Sequence, residues 1–333
     1  MFERRRLYFP LILGAIFLMT VVLGCSQGTA APTAAPAKAT VPAASTAPAT
    51  AAPAASTAPA TAATAASPTA APPPTISTTS TPGTGSVAAP SGLANSGDLT
   101  YGVAATFPPF EYQQNGQLMG FDIEMGQYLT TQMGLQVKTL NITFDGLIPA
   151  LQGSRIDFIN SAMYINPQRA QQVDFIPYMK IGNSIVVPKG NPKNIRSLDD
   201  LSGKTVAVTR GAIEQTYANQ ENDKLKSEGK TPINIVAYPT AQDSVLATQQ
   251  GRADAFFTSS PGAAYLLAQE PNTFEIASTF ATNTEIGMAV RKGDTAMKAA
   301  LQAALNNFVK SGKYAETMKK YNLPTEGSLF QQP

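Results

Sequence analysis

Arg169 is the residue with the clearest chemical use in this chain. It follows Asn166, Pro167 and Gln168, and its planar guanidinium matches a carboxylate with two parallel hydrogen bonds. A cation at the start of a helix is disfavoured by the helix dipole unless an anion lies near. Phe107 and Phe144 stand in loops, the second directly before a helical stretch opened by Asp145, where aromatic rings can wall a cleft. Thr209-Arg210-Gly211-Ala212-Ile213 joins a strand pattern to a helix pattern, and the free N–H groups at such a helix start bind a carboxylate. This is the equipment for non-covalent capture of a small carboxylated molecule. Covalent chemistry is poorly supplied: the chain has no His and one Cys, Cys25. It shows no metal-ligand spacing and no phosphate loop, and no cofactor is expected. Glu285, Glu214 and Tyr164 are the only general acid or base candidates.

The elements that must position these residues lie C-terminal to residue 97. Before them, residues 1–25 carry Arg4, Arg5 and Arg6, an apolar run from Leu7 to Leu23, then Gly24-Cys25. This resembles a lipoprotein signal peptide, in which Cys25 is lipidated and begins the mature chain; an uncleaved membrane anchor is the alternative. Either places the chain outside the cytoplasm on a membrane. With one cysteine no internal disulfide can form. Residues 26–97 are almost wholly Ala, Pro, Thr and Ser. They offer few large apolar side chains to offset the entropy of ordering and read as a disordered tether, with a mean reach of roughly 45 Å. Setting aside Arg4, Arg5, Arg6, Lys38 and Glu3 leaves 20 basic and 21 acidic residues over 98–333. So balanced a domain suggests no nucleic-acid or anionic-membrane surface.

The remainder suits two lobes of ordinary size. Strand patterns over 99–104, 135–142, 156–161, 181–188, 204–208, 233–238, 253–257 and 285–290 alternate with helix patterns over 121–133, 145–152, 214–229, 241–250, 262–268, 296–312 and 314–321. Such alternation argues an α/β fold with largely parallel sheets.

Four stretches, FPPFEY (107–112), GFDIEM (120–125), FDGLIPALQGSRIDF (144–158) and NPQRAQQVDF (166–175), resemble in order and spacing the first lobe of the polar-amino-acid family of extracytoplasmic solute-binding proteins, the capture components of ABC importers. The resemblance covers essentially all of 98–333. It implies a type II periplasmic-binding-protein fold, α/β and two-lobed, with hinged lobes and a discontinuous first lobe: 98–186, then lobe two over 187–281, then a return over 282–333. The chain crosses near 181–187 and 278–285. The implied ligand is an amino acid or related small carboxylate; the implied partners are an ABC permease and its ATPase, with the binding protein a monomer. Arg169 would grip the ligand carboxylate, Ser161, Ala162 and Tyr164 would contact the ligand, and Thr209, Gly211 and Ile213 would face it from lobe two. Asp122 and Asp145 match positions of structural type, expected as helix caps.

Two departures bear on the ligand. The family's ammonium-binding Asp corresponds to Ser259, and a second Asp of some members corresponds to Ala104. Breaking a buried charge pair costs about 3–5 kcal/mol, so another acid must serve or the ligand must differ. Glu285, at the return crossing, is the expected substitute. A second arrangement makes Phe107, Phe144 and Tyr164 an aromatic cage for a betaine-like quaternary ammonium solute. A third reading is an enzyme, since a few dehydratases of carboxylated rings use the same fold.

Overall fold

The computed structural model describes residues 85–331; the signal sequence, Cys25 and nearly all of the tether lie outside the described residues. The order of elements is β1 (Asp98–Val103), a small hairpin sheet β2 (Thr106–Phe107), β3 (Glu111–Gln114) and β4 (Gln117–Met119), then α1 (Phe121–Gln132), β5 (Gln136–Asn141), α2 (Leu147–Gln152), β6 (Phe158–Tyr164), α3 (Pro167–Ala170) and β7 (Val173–Pro188). There follow β8 (Thr205–Thr209), α4 (Ile213–Ser227), β9 (Asn234–Tyr238), α5 (Ala241–Gln249), β10 (Ala255–Ser259), α6 (Ser260–Gln269), β11 (Phe274–Arg291), α7 (Thr295–Lys310) and α8 (Lys313–Lys320).

Eight strands form one sheet in the order β5-β1-β6-β11-β7-β10-β8-β9. Its outer pairs, β1 with β5 and β6, and β8 with β9 and β10, are parallel. The fold is therefore the expected α/β, and its two lobes are the two ends of this sheet. They are joined by β7 and β11, strands of 16 and 18 residues that pair antiparallel along their length.

Side-chain alternation along these strands builds the cores. Met288 and Val290 pack on one face with Leu129 of α1 and Leu301, Leu305 and Phe308 of α7. Ala289, between them, packs on the opposite face with Leu147 and Leu151 of α2. In the other lobe Ile185 and Val187 meet Ala218 and Leu225 of α4, while Val186 meets Phe256 and Phe274 on the reverse face. A period of two thus gives each lobe helices on both faces of its sheet.

The two long strands exceed the expected 181–188 and 285–290. The added lengths include Pro177 and the polar run Thr282-Asn283-Thr284, and Gly182 lies near the expected start of β7. In the fold they fall at register shifts: Pro177 pairs with Gly287 where the ladder slips, and Gly182 faces the slip between Phe280 and Thr284. A bulge leaves room for residues that cannot complete a ladder. The hairpin sheet is absent from the sequence reading, its strands being two to four residues long.

Helix α7 shows how far local signals carry. Asp294 caps it, accepting from the Met297 N–H at 3.0 Å, and Met297, Ala300, Leu301, Ala304, Leu305 and Phe308 form its buried stripe. Truncating Leu301 to Ala removes fully buried surface and is expected to cost about 2–5 kcal/mol in urea unfolding. Lys298→Ala, on the exposed side of the same helix, is expected to stay within about 0.5 kcal/mol.

Candidate functional site

The NPQR stretch is a short helix built to aim an arginine. Asn166 has extended backbone and its side chain accepts from the Arg169 N–H at 2.8 Å, with Pro167 in the first helical position, as a capped helix start requires. Arg169 is thereby turned inward and is only 7% exposed. Its guanidinium donates to the Tyr164 carbonyl at 2.7 Å and to the Gly211 carbonyl at 2.9 Å. The first acceptor ends β6 in one lobe; the second precedes α4 in the other. The Phe144 ring covers the guanidinium, its centroid 5.2 Å from Cζ. Three of the five guanidinium N–H donors remain for a ligand.

Gly211 makes that bridge possible. Its φ of +71° is a left-handed conformation, and a Cβ there would stand 3.0 Å from Cβ of Asp145, so a side chain would prise the lobes apart. Asp145 is thus a packing partner across the interface. Beyond Gly211, Ala212 holds the N-cap position of α4, which starts at Ile213, and supplies no side-chain hydrogen bond.

Between these elements lies a cavity of about 440 Å³, within the range of small-molecule sites. One lobe contributes Phe107, Phe144, Ala162 and Tyr164 with the neighbouring Thr106, Asn141 and Thr143; the other contributes Thr209, Ile213 and Glu214 with the Pro239–Ala241 turn. Six expected residues are therefore on the wall: Phe107, Phe144, Ala162, Tyr164, Thr209 and Ile213. Arg169 and Gly211 are bonded to each other beside it.

Three expected residues are elsewhere. The Ser161 hydroxyl is consumed inside the lobe, accepting from the Ala104 N–H at 3.0 Å and donating to Glu111 at 2.8 Å. Ser259 is fully buried and caps α6 through the Gly262 N–H at 3.0 Å. Glu285 lies on the surface, 3.7 Å from the Lys180 ammonium, so it does not replace the missing Asp. The Tyr164 ring is on the wall, but its hydroxyl donates to the Gly182 carbonyl of β7 at 3.1 Å. Phe107 stacks on Phe110 with centroids 5.9 Å apart. The three rings proposed as a cage are each tied to a separate neighbour.

Of the wall residues not expected from the sequence as ligand contacts, the charged one is Glu214. It is 4% exposed. Burial pushes its carboxyl up to about 7, opposed by its own backbone N–H and by Arg169. Burial also lowers Arg169 to about 10, and Glu214 opposes that shift in turn. Its sequence signal is its place in the first turn of a helix whose start faces the ligand.

Behind the cavity the Ser161-Ala162 corner rests on a buried acid pair. Ala162 is held at φ +39°, a costly conformation for a residue with a Cβ, and its N–H donates to Asp122 at 2.7 Å. Tyr178 also donates to both Asp122 oxygens at 2.8 Å. Asp122 is therefore a cross-brace between α1, β6 and β7, not the expected helix cap. Burial pushes it up to about 7, and burial with the Asp122 charge holds Glu111 well above the carboxylate range.

The family model of bacterial extracellular solute-binding proteins, family 3, matches residues 99–324. An L-arginine-binding protein of Pseudomonas aeruginosa is 32% identical over 229 residues, 66% of this chain and 86% of that protein. The solved structure of an ancestral arginine-binding protein bound to arginine is 34% identical with a TM-score of 0.63, covering 68% of this chain and 98% of that one. An ancestral amino-acid-binding protein, AncCDT-1, described as a precursor of cyclohexadienyl dehydratase, is 33% identical with a TM-score of 0.61, covering 68% of this chain and 95% of that one. The chain belongs to the bacterial extracellular solute-binding proteins, family 3, and has the two-lobed fold of its substrate-binding relatives. Among the described residues no helix is long and apolar enough to cross a membrane.

The raised Glu214 carboxyl has a consequence for stability. The folded chain keeps a proton up to about pH 7 that the unfolded chain releases near 4.5. Between those values the folded state binds more protons, so stability falls as pH rises. The loss from this group is about 3 kcal/mol at about 1.4 kcal/mol per unit. Asp122 has the same sign over a similar window. In urea unfolding without ligand, Glu214→Gln is expected to narrow the stability gap between pH 5 and pH 8 by about that amount, with the Asp122 contribution persisting.

Proposed function

We propose that this chain is the membrane-tethered capture component of an ABC importer, taking up an amino acid between its lobes and presenting the closed form to a permease served by its ATPase. The observation that carries this reading is the cavity itself. It is walled by loops of both lobes, and the one buried guanidinium beside it reaches across from lobe to lobe. The ligand carboxylate takes the free donors of Arg169 and the uncapped start of α4, with Phe107, Phe144 and Tyr164 against its body. Contacts to both lobes favour the closed form, so ligand shifts the population toward it. The lobes divide as 98–186 with 282–333 against 187–281, and the protein acts as a monomer.

The anchor is Cys25, lipidated after removal of residues 1–24, with 26–97 as the spacer. That arrangement holds the protein at the outer face of the cell membrane and leaves it free to reach its permease. Capture without turnover is the reading favoured over catalysis. The cavity wall holds one carboxyl group and no His or Cys, and that acid lies within the electrostatic reach of Arg169 rather than set apart as a general base.

Calorimetric titration of the purified full-length protein, freed of bound solute and held in detergent, tests the reading. At least one amino acid is expected to bind with micromolar or tighter affinity and to be recovered unchanged. Arg169→Ala is expected to weaken binding about 100-fold or more, from two charged hydrogen bonds at about 1.5–3 kcal/mol each. Arg169→Lys, which lacks the fork, is expected to restore little. Conversion of the amino acid, or binding indifferent to Arg169, would sink it.

A further inference from the structure

We propose that Glu214 is the acceptor for the ligand ammonium, and that the cavity thereby selects an amino acid whose side chain carries no charge. This rests on the amino-acid-binding reading above and narrows it.

Charge placement is the first argument. Of the residues lining the cavity, Glu214 is the only carboxyl, and no lysine or arginine lines it. It lies three residues past Gly211, whose carbonyl holds Arg169, so the acid and the guanidinium share one end of the site. Each opposes the other's burial shift, as neighbouring opposite charges must. An α-amino acid carries its carboxylate and ammonium on one carbon, so it needs a cation and an anion close together. A site with Arg169 alone would hold any carboxylate; a site with both is charge-complementary to a zwitterion.

Elimination is the second argument. The three positions at which the sequence led an ammonium-binding acid to be expected are closed. Ser259 and Ala104 carry no carboxylate, Ser259 is committed to capping α6, and Glu285 faces Lys180 outside the cavity.

The rest of the wall then sets the side-chain preference. It includes Phe107, Phe144, Ile142, Ala104, Ala105 and Pro239, with neutral polar groups between them. Some of those polar atoms are already engaged: the Asn141 side-chain oxygen accepts from the Ala105 N–H at 2.9 Å, and the Thr240 hydroxyl donates to Asp243 at 2.7 Å. A cationic side chain enclosed here would find no second carboxylate and would share the space with Arg169, which buried charges do not tolerate.

Proton release gives an independent signature. Glu214 faces Arg169 from α3 and Tyr164 from β6, with Tyr217 on its own helix acting on the same Arg169 and Tyr164 charges; Asp145 packs against Gly211 across the interface. An ammonium placed against a carboxyl that titrates at about 7 draws out its ionised form, so binding near pH 6.5 releases a proton to the buffer.

The experiment is titration calorimetry on the full-length protein and Glu214→Gln, each with leucine, phenylalanine, arginine, glycine betaine and the amine-free 3-phenylpropionate, in two buffers of different ionisation enthalpy. The wild type is expected to bind leucine or phenylalanine with proton release, to bind arginine at least about 10-fold more weakly, and to refuse 3-phenylpropionate. Glu214→Gln is expected to lose the amino acid by about 100-fold, the cost of an unpaired buried charge, to gain 3-phenylpropionate, and to lose the proton release. Glu214→Asp, which keeps the carboxylate, is expected to recover part of the amino-acid affinity and guards against a merely misfolded variant. Unchanged amino-acid binding in Glu214→Gln would overturn the inference while leaving the capture role intact. Arginine or glycine betaine bound more tightly than leucine and phenylalanine would overturn the side-chain or ammonium assignment. Wild type binding none of the amino acids would overturn the reading beneath it.

Discussion

The structure turns on a buried guanidinium. Taking a cation out of water costs several kcal/mol unless its donors and charge are met. Arg169 meets that cost with a carbonyl of its own lobe, a carbonyl of the other lobe, the face of Phe144 and the nearby Glu214. Because one acceptor belongs to the opposite lobe, the solvation of this charge and the approach of the lobes are one event. A solute carboxylate can take over part of that role, and so gains a differential hold on the closed arrangement.

The lobes can respond only if the part that binds is stiff and the part that joins them is not. Stiffness comes from the brace behind the cavity. Asp122 fixes Ala162 in a left-handed conformation and ties it to Tyr178, whose backbone carbonyl receives the Tyr314 hydroxyl at 2.7 Å. The joint is different in kind. Between Phe280 and Thr284 the β7–β11 ladder skips, Ala281 sits at φ +46°, and Gly182 has the Thr282 Cα within 3.0 Å of where its Cβ would be. A ladder interrupted at the crossing resists bending less than a continuous one.

Membership of the family does not by itself fix the solute, because the solute's charges must be met by the side chains this chain brings to its own cavity wall. Ser259, the position from which the resemblance led an ammonium-binding Asp to be expected, is turned into a helix cap. The acid on the cavity wall instead comes from the first turn of α4. The electrostatic requirement is local, so it can be met from any element that reaches the same few ångströms.

The sequence by itself determined the fold class, the alternation of strands and helices, the family, and the loops that supply the cavity. These are set by short-range periodicity, by caps such as Asn166 and Asp294, and by motifs whose residues lie close in the chain. Phe107, Phe144, Tyr164 and the Arg169 turn could be read for the same reason. Only the tertiary structure decided which polar groups near those loops were free. Ser161 and Ser259 carry suitable hydroxyls, yet both are spent on backbone and side-chain partners, Ser161 on groups 50 and 57 residues away. Glu285 stands at the crossing but points to Lys180, while Glu214 is brought to the wall because α4 starts against the opposite lobe. Sequence spacing says which face of an element a residue occupies; what that face meets depends on how distant elements pack, and there the charges of this site were assigned.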